Sequence, residues 1–156
     1  MGISPGFRDR LSGMTCARRV LTDPADTWVY GYDNSRKHVP PDVVVFATSH
    51  REVQDIVRLC HEHGVPVVAR GRGTATTGAA VPVRAGVVLS LERMNRILSV
   101  DPANRAIVVE PGVTNQAVQE AVAAHGFFWP PDPTSAAFCT VGGNLAHADP
   151  ANDHPA

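Results

Sequence analysis

At 156 residues the chain is long enough for one domain with a real core and too short for two comfortable ones, and its 44% hydrophobic and 19% charged content excludes a disordered chain. With 14 Lys and Arg against 15 Asp and Glu the formal charge is -1, so no general attraction to nucleic acid or an acidic membrane is expected, and any anion site must be local. No apolar run approaches the ~18 residues of a membrane span, the N-terminus lacks the apolar core of a secretory signal, and 3 Cys without a CxxC supply neither a disulfide frame nor a zinc site, which makes the cytoplasm the default location.

The first forty residues are the least regular. "FRDRLSGM" suits a short helix, "RRVLTD" a short strand, and "DPADTW" a helical turn capped by Asp23 with Pro24 at the first helical position. "YGYDNSRKHVPPD" reads as an exposed or ligand-facing loop. "VVVFA" (43–47) is a β-branched run, as a strand covered on both faces requires. Ser49 and Glu52 form a capping box that starts a helix at His50, whose apolar face is Val53, Ile56, Val57 and Cys60 and whose stop is Gly64. A buried strand from Pro66 to Arg70 follows. Strand, helix and strand with short connections predict a βαβ unit with parallel pairing.

Beyond a glycine-rich loop, "GVVLSL" (86–91) is a third strand. "ILSVD" and "AIVVEPG" are two more, joined by the turn chemistry of Asp101-Pro102-Ala103-Asn104 into an antiparallel hairpin. Thr114 caps a helix to His125 that buries Val118, Ala121 and Val122 and stops at Gly126. The remainder is expected to be mostly loop.

Two stretches carry chemistry. In "ARGRGTATTGAAVP" the glycines at a strand's C-terminal edge let backbone N–H groups converge on an anion such as a pyrophosphate, with Arg70 and Arg72 as counter-charges. An ordinary surface loop with a solvated arginine pair is the alternative. No Gly-Lys-Ser/Thr follows, which excludes a Walker loop, and Thr76 stands where the Rossmann fingerprint needs Gly or Ala. The second stretch, "PPDPTSAAFCTVGGNLA", joins a rigid proline turn to Gly142-Gly143. It reads either as close backbone approach to a flat or anionic ligand or as a crossover packed on the sheet. Cys139 fits a small packed hydrophobe, and His61, His63 and His125 fall at helix ends, where a charge–dipole role is expected. His147, Asp149, Asp153 and His154 could be drawn as a metal cluster, but such spacing is common in tails, and no metal is expected.

These stretches, in this order and spacing with "VVEPGVTNQAVQEAVAAHG" between them, resemble the FAD-linked oxidases of the vanillyl-alcohol oxidase and p-cresol methylhydroxylase (PCMH) type. The nearest look is to the FAD-linked subunit of glycolate oxidase and to D-lactate dehydrogenase, and the resemblance runs from about Val20 to Ala146. It implies an α+β, FAD-binding PCMH-type domain with a small N-terminal βαβ subdomain to about Pro82 and the start of a second α/β subdomain. The expected division is an N-terminal extension (1–38), the FAD-binding domain (39–146, incomplete at its C-terminus) and a divergent tail (147–156).

By the same resemblance Arg70, Gly71, Arg72, Gly73 and Thr74, with Gly78 at the far end, cradle the FAD pyrophosphate. Pro111, Gly112, Pro131, Asp132, Thr134, Ser135, Cys139, Thr140, Gly142, Gly143 and Asn144 line the rest of the cofactor. Relatives that attach FAD covalently carry His where Thr74 stands, so FAD is expected to be non-covalent. The implied parent activity is oxidation of a D-2-hydroxy acid of the glycolate or D-lactate class. The tail "HADPANDHPA" departs from that pattern and looks like the flavin subunit of molybdenum hydroxylases. The segments that clamp and deprotonate a substrate are therefore expected to be missing, with turnover requiring a partner chain; a bare flavin-binding module and a decayed remnant are the alternatives.

Overall fold

A computed structural model describes residues 3–147, which form two small sheets with helices packed against them. The first element is α1 (Pro5–Met14), started by Ser4, whose hydroxyl accepts from the Phe7 N–H, and it buries Phe7 and Leu11. A 3-10 turn leads into the two-residue strand β1 (Val20–Leu21). The Asp23 carboxylate accepts from the Ala25 N–H at 2.8 Å and opens α2 (Pro24–Thr27) with Pro24 in the first turn, as the sequence predicts.

Strand β2 (Val43–Phe46) is wholly buried, and the Ser49 hydroxyl caps α3 (His50–Glu62) by accepting from the Glu52 N–H at 3.2 Å. Only half of the expected capping box forms. The Glu52 carboxylate accepts from the Thr48 N–H and takes a two-pronged ion pair from Arg19, both prongs at 2.7 Å, which ties α3 to the N-terminal segment. The buried face of α3 is Ile56, Leu59 and Cys60, with Val53 partly buried, while Val57 is 41% exposed. Leu59 thus takes the place expected of Val57, because α1 packs across α3 from the side on which Leu59 lies. Gly64, at φ +61°, ends the helix as expected.

Strands β3 (Val67–Arg70) and β4 (Val87–Ser90) complete the first sheet in the order β1-β2-β4-β3. The βαβ expectation needs correction here: β2 and β3 run the same way but are not neighbours, since β4 enters between them and pairs in parallel with both. Burial gives the reason. Every side chain of β2 and β4 is buried, whereas β3 leaves Val67 and Ala69 exposed and buries only its last residue, the pattern of an edge strand. The first sheet therefore continues past Pro82. One face carries Val43, Val45, Val87 and Leu89 against α1 and α3; the other carries Val44, Phe46 and Val88 against Leu21 and Tyr30.

The second sheet is the predicted hairpin of β5 (Ile97–Asp101) and β6 (Ala106–Val109), antiparallel, with both Asp101 oxygens bonded to Asn104 and Arg105 at φ +52° in the turn. Helix α4 (Asn115–Ala123), capped by the Thr114 hydroxyl, buries Val118 fully and Ala121 and Val122 partly. The closing segment is not all loop. Val141–His147 forms α5, in which the Thr140 hydroxyl accepts from the Gly143 N–H at 3.2 Å in the manner of an N-cap. Two glycines disfavour a helix intrinsically, but the Gly142 N–H donates to the Pro111 carbonyl and a Cβ there would strike Pro111, so packing overrides propensity.

Candidate functional site

The parallel strands β2, β4 and β3 end in register at Phe46, Ser90 and Arg70. The glycine loop leaves from that edge and has no crossover helix, so segment 71–86 must itself return to the start of β4. Gly73 is left-handed at φ +70° and Gly78 at φ +86°. At Gly71 the backbone conformation is ordinary, but an added Cβ would lie 2.5 Å from the Thr140 hydroxyl. Thr140 is 3% exposed and immediately precedes α5. The two stretches singled out in the sequence therefore meet, and glycine is needed at Gly71 because of that contact.

A ladder of backbone bonds holds the second stretch in place. The Asn115 N–H donates to the Cys139 carbonyl, the Val141 N–H to the Val113 carbonyl and the Gly142 N–H to the Pro111 carbonyl. Gly112 fits between the Leu91 and Met94 carbonyls, where a side chain would overlap both. Glu110, 8% exposed, anchors the same turn by accepting from the Arg96 backbone and guanidinium, and these bonds hold its carboxyl below the usual range.

Asn115 was not singled out from the sequence, yet it organises this region. It is 2% exposed, donates to the Pro131 carbonyl at 2.8 Å, and accepts from the Trp129 indole at 2.8 Å and the Asn144 amide at 3.2 Å. Its place just after the Thr114 cap was the available signal, since a polar residue at a first helical turn has both faces to satisfy.

Beside the glycine loop lies a cleft of about 430 Å³, bounded by Tyr30, Tyr32, Arg72, Thr74, Glu92 and Phe138 among others. Its second wall comes from the "YGYDN" loop. The Asn34 N–H donates to the Ala75 carbonyl at 2.9 Å and its amide to the Thr74 carbonyl at 3.3 Å. Asp33, 2% exposed, accepts from the Ser35 and Ala80 N–H groups. Burial pushes its pKa up, but the Ser35 and Ala80 donors and the Arg70 charge outweigh that and leave it lowered.

Arg70, Arg72, Gly73 and Thr74 all line the cleft, and of the two arginines only Arg72 is exposed. Arg70 turns inward to backbone carbonyls rather than out to solvent. Gly78 lies away from the cleft, nearest Ser35 and Lys37. Pro111 and Gly142 border a second, apolar cavity of about 600 Å³ with Val109, Val118, Trp129 and Leu145. Asp132 and Thr134 are exposed, the Ser135 carbonyl accepts from Phe138 and Cys139, and Cys139 is buried. Phe138, 62% exposed at the cleft, was missed. His63 Nε2 accepts from Arg10 Nη1 at 2.9 Å, rather than standing only at a helix end. Of the four tail residues considered for a metal, Asp149, Asp153 and His154 lie outside the described residues.

The arrangement fits a flavin nucleotide: glycines 71 and 73 leave no room for side chains beside the cleft, and the open donors on it are a guanidinium, a hydroxyl and loop N–H groups. Comparison with known proteins agrees. A family model described as an FAD binding domain matches residues 41–153. The chain is 42% identical over 106 residues to a glycolate oxidase subunit of Escherichia coli, covering 68% of this chain and 21% of that protein. It is 41% identical over 106 residues to a D-lactate dehydrogenase of Anaerostipes hadrus, covering 68% and 22%. Among solved structures, alkyldihydroxyacetonephosphate synthase superposes with a TM-score of 0.80 at 26% identity, over 92% of this chain and 32% of that one. For p-cresol methylhydroxylase the TM-score is 0.76 at 25% identity, over 92% and 30%. The chain thus spans about a fifth to a third of the length of these proteins.

Proposed function

Because the chain belongs to the FAD binding domain family, we propose that it holds FAD non-covalently, with the pyrophosphate on the loop from Arg70 to Gly78 and the remainder along the Pro111–Gly112 turn and the segment from Pro131 to Asn144. The observation that carries this reading is the contact of Gly71 with Thr140, which brings the two glycine-bearing segments together beside the cleft. Arg72 offers the exposed charge for a doubly negative pyrophosphate, and the Thr74 hydroxyl adds a donor. Thr74 has no nitrogen with which to form a histidyl–flavin bond.

The parent reaction we propose is oxidation of a D-2-hydroxy acid of the glycolate or D-lactate class, supported by the names of the relatives. Bound flavin supplies a hydride acceptor for the substrate's α-carbon. The residues of this chain bind and orient the cofactor. A carboxylate clamp and a base for the hydroxyl are assigned to polypeptide beyond this chain, and the division into 1–38, 39–146 and 147–156 and a cytoplasmic location belong to the same proposal.

Purified protein incubated with FAD should acquire a bound-flavin absorption spectrum at one flavin per chain and release all of it on acid precipitation. Flavin that stays with the acid pellet would refute non-covalent binding, and a folded chain that ignores FAD would refute the cradle. Loss of the flavin colour on anaerobic addition of glycolate or D-lactate would show that this chain turns over unaided, against the assignment of the clamp elsewhere.

A further inference from the structure

Arg70 is the sole arginine in the buried class among the described residues, at 7% exposure. Its Nη1 donates to the Tyr32 carbonyl at 2.6 Å, its Nη2 reaches towards the Val29 carbonyl at 3.5 Å, and its guanidinium carbon lies 5.7 Å from the centre of the Tyr30 ring. The backbone of Gly73 packs directly onto the same group, so that a side chain at Gly73 would overlap all three guanidinium atoms beyond Nε. The strand end, the 29–32 loop and the glycine loop therefore converge on one planar cation.

We infer that Arg70 is a positioning residue: it locks the 29–34 loop and Gly73 into a single wall of the cleft and leaves the charge of a bound phosphate to Arg72 and the loop N–H groups. This rests on the cofactor reading above but assigns Arg70 a role other than the counter-charge suggested by the sequence. Two of the five guanidinium N–H donors go to backbone carbonyls within the protein, and a flat group is what the left-handed Gly73 backbone can lie against. Lysine would keep the charge but lose both the fork and the flat face. Asn34 completes the wall from the other side through Thr74 and Ala75.

The test compares Arg70→Lys, Arg70→Met, Arg72→Gln and Asn34→Ala in the full chain by hydrogen–deuterium exchange without ligand and by FAD titration across a range of salt. Both Arg70 variants should raise amide exchange in 29–35 and 71–75 together and weaken FAD by about tenfold through lost preorganisation. The salt dependence of their binding should match wild type. Arg72→Gln should leave exchange unchanged and flatten the salt dependence. Asn34→Ala keeps both arginines and the core, and should reproduce the Arg70 signature in weaker form, so the inference does not hang on the folding of one variant. Wild-type exchange and affinity in Arg70→Lys, or a flattened salt dependence in Arg70→Met, would overturn it. A wild-type chain that binds no FAD would sink the cofactor reading alone, since the exchange comparison decides the role of Arg70 without ligand.

Discussion

Replacing Gly71 by Ala tests the junction on which the site is built. The new Cβ would stand 2.5 Å from the Thr140 hydroxyl but 3.5 Å from its Cβ and Cγ2, so the conflict is with one oxygen. That oxygen accepts from the Gly143 N–H at 3.2 Å in a residue only 3% exposed. Relief by rotating Thr140 gives up the bond, at about 1 kcal/mol, and relief by moving backbone costs about 1–3 kcal/mol as overpacking. Gly71 has an ordinary backbone conformation, so the substitution recovers about 0.4–1 kcal/mol from the stiffer unfolded chain. Subtracting that recovery leaves a net loss of between about 0 and 2.5 kcal/mol, read as a lower urea midpoint with unchanged slope.

Thr140→Ala removes the conflicting oxygen and leaves an ordinary van der Waals contact. In that background Gly71→Ala should be neutral or stabilising, giving a coupling of about 2 kcal/mol between the two sites. Equal cost of Gly71→Ala in both backgrounds would refute the claim that these segments meet through Thr140.

Three further outcomes are expected. The Arg19 bonds hold the Glu52 carboxyl at about 2 against an ordinary 4.5, so the stability it contributes is complete above that ordinary value and is lost as pH falls towards the folded one. With side chains 18% and 19% exposed, solvent screening leaves about 1–2 kcal/mol, and Glu52→Gln should cost that much at neutral pH and almost nothing at the acid end; parallel pH–stability curves would contradict this. Asn115→Ala removes the partner of the Trp129 indole, the Pro131 carbonyl and the Asn144 amide, which should cost about 2–4 kcal/mol in urea unfolding and shift Trp129 emission to the red. Burial pushes the Cys60 thiol up to about 11, and Cys139 is buried too, so iodoacetamide should label Cys16 alone in the native state and all three cysteines in urea; native labelling of Cys60 would count against its place in the core.

Much of the local structure was readable because the groups that decide it are neighbours in sequence. Asp23 with Pro24, Ser49 before α3, Thr114 before α4, the left-handed glycines 64 and 126, and the Asp101–Asn104 turn each settle their own hydrogen bonds within a few residues. The glycine loop and the "CTVGGN" segment were also legible as places where backbone must approach something closely. What they approach was not. Strand order depended on which strand could afford an exposed face, and the edge position of β3 follows from β4 taking the centre. The Thr140 hydroxyl caps α5, a helix the sequence left as loop, and the packing of Gly142 on Pro111 is what makes a helix of two glycines worthwhile. Arg70 and Arg72 are indistinguishable in "RGRG", two residues apart and equally charged. The tertiary structure separates them: both line the cleft, but the first is buried and bonded to a loop brought from residues 29–34, while the second is exposed.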